Sequence, residues 1–367
     1  MLRIDRRSIQ NFDWVLLGLV GLLVTLGLVN LLSATHGGVE AEINDIFRRQ
    51  LMTLGVATAA AVGACAVDYR RFARLAMPLY VVSLVLLTLP LLIAPATRGA
   101  QAWLFDGRVQ PSELAKIGLV LALARYFQRN PPTEITRLTH LGAPLAIIAL
   151  PVGIIALQND IGVALLVMLI GLTFLIFVRI PWPAWAGIGA AGLAGLAAFW
   201  IYGLRDYQRT RILDFLDPER DPLSSGYQAM QSRIAIGSGG LFGTGWMEGS
   251  QTQLRFLPTQ HTDFVFSVLA EEWGFVGSTL VLAVLLVTLL WGLWVARNAK
   301  DAFGAMLAVG IVGTLFWPAT INVAMVLGLA PVIGVPLPLF SYGGSALLSA
   351  GIALGLLMNV SMRRYVF

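Results

Sequence analysis

The stretch AFGAMLAVGIVGTLFWPATINVAMVLGLAPVIGVPLPLFSYGGSALLSAGIALGLLMNVSM, residues 302–362, contains no Asp, Glu, Lys or Arg. One apolar helix needs roughly 20 residues to cross a bilayer, so this run holds two crossings. The break between them falls in the Gly- and Pro-rich segment from Gly328 to Pro338. A chain carrying such a run is built for lipid as solvent. The rest agrees: 57% of residues are hydrophobic and 12% charged, against about 25% charged in soluble domains.

Working outward, uncharged runs predict an all-α polytopic membrane protein with ten transmembrane helices. They lie near 14–33, 51–67, 75–94, 112–127, 142–157, 161–178, 184–203, 264–296, 302–327 and 337–360. The fourth is the weakest, because Glu113 and Lys116 lie in it. The first apolar run has no small-residue cleavage site and many spans follow it, so it reads as a span rather than a signal peptide. Arg3, Arg6, Arg7, Arg70, Arg71, Arg74, Arg125, Arg129, Arg297, Lys300, Arg363 and Arg364 all fall on one side if the N-terminus is cytoplasmic. Short cytoplasmic loops carry the Lys/Arg excess, so both termini are expected inside. A large segment, about 204–262, then lies on the outer face between spans seven and eight; its apolar and Gly-rich content predicts a structured loop. No internal repeat is visible, and residues 1–367 read as one domain.

The positive balance of +5 does not indicate nucleic acid. Arg is dispersed around apolar runs, with no basic patch interleaved with aromatics. The single cysteine, Cys65, excludes an intrachain disulfide and suits a packing role. No His/Cys cluster has metal-ligand spacing. The GSGG and GTG stretches lack the Lys-Ser/Thr ending of a phosphate loop.

Charges at membrane depth are costly and are candidates for function. Glu113 and Lys116, in PSELAKI, are three residues apart on one helix face, which allows either a buried ion pair that fixes packing or a lysine facing an anionic substrate. Asp160, in LQNDIGVALLV, could cap the helix starting at Ile161 or line an outward-facing cavity. Asp263, in FLPTQHTDFVFSVLAEEWG, closes the long loop where span eight begins. Spaced every four residues, Asp263, Ser267 and Glu271 predict a polar stripe on that helix. His261 alone suits a hydrogen-bonded structural histidine better than a base.

The segments RGAQAWL, VQPSELAKI, QNDIGVALLV, YQRTRILDFLDPERDPLSSGYQAMQSRIAIGSGGLFGTG, FLPTQHTDFVFSVLAEEWGFVG and PVIGVPLPLFSYGGSALLS together resemble the SEDS family (shape, elongation, division and sporulation) across nearly the whole chain. The resemblance is nearer to its elongation branch than to its division branch. It implies a ten-span peptidoglycan glycosyltransferase of the bacterial inner membrane. Such an enzyme acts on lipid II beside a class B penicillin-binding protein and other elongation-complex membrane proteins. The family's catalytic aspartate falls on Asp263, its Glu/Lys pair on Glu113 and Lys116, and its Asp before span six on Asp160. Its basic and amide loop positions fall on Arg108, Gln208 and Arg211. Thr259 stands where the family usually has an acid, and Asn159–Ile161 depart from its common Pro-Asp-Leu pattern around Asp160.

Glycosyl transfer needs a base for the attacking hydroxyl and positive charge for the departing pyrophosphate. Asp263 is the expected base. Arg48, Arg49, Arg108, Arg209, Arg211 and Lys116 could serve the pyrophosphate, Arg matching phosphate oxygens bidentately. A divalent cation, Mg²⁺ or Mn²⁺, held by Asp263 and Asp160 is a further means that the sequence does not establish. The competing classes are a flippase for the same lipid-linked precursor and a noncatalytic scaffold for the crosslinking enzyme. The flippase would make no polymer from precursor already outside; the scaffold would tolerate Asp263→Asn.

Overall fold

The computed structural model describes residues 11–36, 40–94, 100–105, 107–131, 138–178, 182–198, 225–257 and 259–364, with 203, 209, 210, 213 and 215 between them. The described residues are helical, with one isolated bridge pairing Leu104 and Val109. In chain order the helices are α1 Trp14–His36, α2 Glu40–Ala66, α3 Tyr69–Ile93, α4 Pro111–Arg129, α5 Gly142–Leu157, α6 Ile161–Thr173, α7 Trp182–Ala198, α8 Ser225–Ser238, α9 Val265–Arg297, α10 Ala302–Val326 and α11 Gly344–Arg363. A single turn at Ser250–Gln253 lies between α8 and α9. Helices are the economical solution in lipid, because they satisfy their own backbone polar groups.

Among the described residues, α1, α3, α9, α10 and α11 are long and apolar enough to cross a membrane, and α5 and α6 are shorter apolar helices. The chain is therefore a multi-pass membrane protein. Leu75, Val81, Val82, Leu280 and Leu286 lie outward and exposed on α3 and α9, the arrangement expected where acyl chains replace water. Packing inside relies on small residues, as in membrane bundles generally. Gly351 and Gly355 of α11 lie against the backbone of Ala57 and Ala61 of α2; a Cβ on Gly351 would sit 2.7 Å from the Ala57 carbonyl oxygen. Buried polar side chains pin the rest: Asn30 Nδ2 donates to the Val265 carbonyl at 2.9 Å, joining α1 to α9.

The expected break in 302–362 is present. α10 ends at Val326, α11 begins at Gly344, and 327–343 is irregular. The last span thus starts seven positions beyond the expected 337, because Pro336 and Pro338 lie in the extended part and cannot continue a helix. Irregular backbone at this depth is tolerated where it lines a cavity, and it does so here.

The segment between α7 and α9, expected on the outer face, is folded where it is described. α8 packs on α9 and α10, and Ser232 Oγ donates to the Val326 carbonyl at 2.7 Å. Gln208 and Arg211 lie outside the described residues, as do Arg3, Arg6 and Arg7.

Candidate functional site

A cavity of about 990 Å³ lies at one end of the bundle, walled by α4, α6, α10, α11 and the irregular 334–343 segment. Glu113, Lys116, Asp160 and Asp263 all line it; its deeper wall is apolar, with Ile117, Leu166, Leu315 and Ala353. Sequence spacing had no means of bringing these four together, since they arise from three separate helix starts.

Each charged group is held by its local structure. Pro111 opens α4, where its missing N–H is no loss, and this places Glu113 and Lys116 in the first two turns. Lys116 Nζ lies 2.8 Å from Glu113 Oε1, with the side chains 9% and 7% exposed. The other Glu113 oxygen accepts from Ser349 Oγ of α11 at 2.6 Å. Asp160 fulfils both of its possible readings. It caps α6 by accepting from the Val163 N–H at 3.3 Å, and it lines the cavity, accepting from Gln110 Nε2 at 3.2 Å. Burial pushes the Asp160 carboxyl above the ordinary carboxylate range, against the opposing pull of those hydrogen bonds.

Asp263 lies in the turn before α9, not on the helix. Its N–H donates to the Thr259 carbonyl at 3.2 Å, and its own carbonyl accepts from Asn322 Nδ2 at 2.7 Å. The same Asn322 amide donates to the Val335 carbonyl at 2.7 Å, so one side chain ties the turn to the irregular segment. Gly334 beside it has φ +70°, a conformation that L side chains rarely adopt, while a Cβ there would make only ordinary contact with Asp263 Oδ2 at 3.4 Å.

The expected stripe of Asp263, Ser267 and Glu271 does not face one place. Ser267, fully buried, pairs with Ser232 Oγ at 2.8 Å. Glu271 accepts from the Gln251 N–H at 2.7 Å, the Thr252 N–H at 3.0 Å and Thr252 Oγ1 at 2.7 Å. Both hold the segment between α7 and α9. The physical reason is that α9 starts at Val265, so helical spacing does not extend back to Asp263.

His261 is half-buried. Its carbonyl accepts from the Tyr342 N–H at 2.9 Å, and its ring meets Tyr342 edge-on at 5.9 Å between centroids. Burial, aided by the Arg255 charge, pushes its imidazole below the usual value, so it is neutral near pH 7. Arg48 and Arg108 are exposed and Arg209 is half-buried, and none of the three lines the cavity. Arg49 pairs with Asp45 at 2.5 Å on the surface, where such pairs contribute little.

Sequence reasoning missed Ser349, Asn322 and Gln110. It also missed that three helices begin at this cavity: Gln110, Asp160 and Gly343 are the N-caps of α4, α6 and α11, while Asp263 lies one residue before Phe264, the N-cap of α9. Helix N-termini carry partial positive charge and favour anions.

Fold and cavity together define a polytopic membrane protein with a charged, partly apolar site at one end of its bundle. Residues 13–366 match the family described as cell cycle protein, which groups FtsW, RodA and SpoVE, and the chain belongs to that family. It is similar to the peptidoglycan glycosyltransferase MrdB of Escherichia coli (strain K12), 44% identical over 294 residues that cover 78% of this chain and 77% of the relative. It also resembles a solved structure concerned with the coordination of polymerization and crosslinking by a peptidoglycan synthase complex. There the TM-score is 0.82 at 36% identity, covering 97% of this chain and 99% of that one. The rod shape determining protein RodA of Thermus thermophilus superposes with a TM-score of 0.71 at 33% identity, over 97% of this chain and 98% of that one.

Proposed function

We propose that the chain polymerises lipid II into glycan strands at the outer face of the bacterial inner membrane, with Asp263 as the base. It is a peptidoglycan glycosyltransferase, the activity by which its MrdB relative is named, and it serves cell elongation, in keeping with its likeness to a rod-shape protein. We read ten crossings, adding α2, α4, α5, α6 and α7 to the five long apolar helices, with both termini cytoplasmic.

The observation that carries this reading is the sharing of one cavity by Asp263, Asp160 and the Glu113–Lys116 pair, beside an apolar wall. Asp263 would take the proton from the attacking sugar hydroxyl; a placed base contributes roughly 10²–10⁴-fold. Lys116 and the three helix N-termini would face the departing pyrophosphate. Arg48, Arg108, Gln208, Arg209, Arg211 and His261 could act on the glycan or pyrophosphate only from outside this cavity. A transporter would place its polar site near mid-depth; here the charged groups sit at helix starts.

Among the described residues, the cavity's side-chain charges are one cation against three carboxylates. An entering pyrophosphate therefore requires a proton on one of these acids or a counter-cation. Asp160 and Asp263 are the residues that would hold a divalent cation, Mg²⁺ or Mn²⁺. Among the described residues no group of three or more His, Cys, Asp or Glu could cage one alone, so substrate oxygens and water would complete the shell, as Mg²⁺ commonly allows. When bound, it would neutralise phosphate charge. A class B penicillin-binding protein is the proposed partner, supported by the synthase-complex likeness, within an assembly containing other elongation-complex membrane proteins.

The test is polymerisation of lipid II by the purified protein, wild type against Asp263→Asn, with and without that partner. A folded variant should make no polymer. Wild-type polymer yield from Asp263→Asn would remove the assignment.

A further inference from the structure

A second recess, of about 470 Å³, lies at the opposite end of the bundle, where α3 and α10 begin and α4 ends. α3 alone has 25 residues, so at 1.5 Å per residue the two sites are about 37 Å apart along it. The glycosyltransferase reading makes no use of this recess.

Among the described residues, its walls carry Arg70, Arg74, Arg125 and Lys300 against one acid, Asp301, a balance of four positive charges to one negative; Arg125 also donates to the neutral Gln128 Oε1 at 2.6 Å. That single carboxylate is already engaged. Asp301 Oδ1 caps α10 through the Gly304 N–H at 2.8 Å, and Oδ2 accepts from the Tyr69 hydroxyl at 2.7 Å. Arg70 reaches it only at 4.0 Å. Asp68 likewise caps α3 through the Arg70 N–H at 2.9 Å. Two helix N-termini thus add partial positive charge to the basic side chains. Beyond Arg74, Leu75 and Leu79 lie one turn apart on α3 as an exposed apolar surface.

We propose that this recess binds the phosphate of an anionic phospholipid headgroup, with the acyl chains lying along α3. A phosphodiester carries the charge that the recess lacks, and Arg offers it paired donors. A free phosphate shares that chemistry but makes no use of the apolar wall, and this favours the lipid.

The test uses the full-length protein, stripped in neutral detergent and then offered phosphatidylglycerol or phosphatidylcholine, with lipid retention read by native mass spectrometry. Each basic side chain near an anionic lipid contributes about a five-fold preference. Arg74→Gln with Arg125→Gln should therefore lower phosphatidylglycerol retention by about 25-fold, while Arg74→Lys with Arg125→Lys keeps most of it. Thermal unfolding in phosphatidylcholine checks that both pairs fold. Equal retention by the glutamine pair would overturn the proposal. So would displacement of the lipid by millimolar inorganic phosphate, which would assign the recess to a soluble anion instead.

Discussion

Lys116→Met separates the packing role of the cavity's ion pair from its chemical one. The pair is 2.8 Å long with both side chains under a tenth exposed. Removing the ammonium leaves Glu113 with Ser349 as its remaining strong donor, at 2.6 Å, in a place water barely reaches. Breaking a buried pair from one side costs roughly 3–5 kcal/mol, whereas replacing both members by neutral residues of similar volume is often about neutral. Lys116→Met alone should therefore lower the unfolding temperature by several degrees. Glu113→Gln with Lys116→Met should bring it back close to wild type.

Polymerisation should not come back with it. If Lys116 faces the departing pyrophosphate, the double variant is folded and inactive. Fluorescence-monitored unfolding in one detergent, paired with lipid II polymerisation on the same samples, reads both quantities. Two results refute the reasoning. Wild-type unfolding of Lys116→Met would mean that the pair is not energetically buried. Wild-type polymer from the double variant would reduce Lys116 to a packing residue.

Three further outcomes are expected. Asn322→Ala strips two carbonyls, those of Asp263 and Val335, of a donor; with an unsatisfied buried group costing about 1–3 kcal/mol, stability should drop and polymerisation should fall with it, and normal activity would show that the turn needs no such tie. Gly355→Val drives a side chain into the Ala61 backbone, so overpacking of about 1–3 kcal/mol is expected, read as a lower unfolding temperature; an unchanged one would contradict the close α2–α11 contact. Burial raises the Asp160 carboxyl above its unfolded value, so the folded protein binds that proton more readily, and stability falls as pH rises from the ordinary carboxylate range through the raised one. Asp160→Asn should flatten this fall, and a pH–stability curve identical to wild type would contradict it.

The spans were legible because charge in lipid is expensive, and their ends were less so for the same reason. Counting uncharged residues put the third span at 75–94, yet α3 begins at Tyr69. The helix continues past the apolar run to include Arg70, Arg71 and Arg74, and cations are favoured at the ends of membrane helices. α2 likewise begins at Glu40 rather than near 51. Glu113, Lys116, Asp160 and Asp263 stood out as ionisable groups beside apolar helices. Ser349 did not, because its partner Glu113 is 236 positions away and a lone serine in a membrane helix gives no local signal. Asn322 was equally silent, though it is among the few polar side chains in an uncharged run.

The failure of the Asp263–Ser267–Glu271 stripe clarifies why a base can work from this turn. Ser267 and Glu271 are spent on anchoring the loop, and the Glu272 carbonyl joins them by accepting from the Gly245 N–H. The turn is then secured on several sides: the Asp263 N–H donates to the Thr259 carbonyl, the Asp263 and His261 carbonyls accept from Asn322 and Tyr342, and Gln260 Nε2 donates to the Ala34 carbonyl. A reacting group has to be held to a fraction of an ångström and still be free to exchange a proton. Placing Asp263 on α9 itself would have aimed its carboxylate by helix rotation, along with the residues that lock the loop. Placing it in the turn before α9 lets the main chain carry the positioning while the carboxylate faces the cavity.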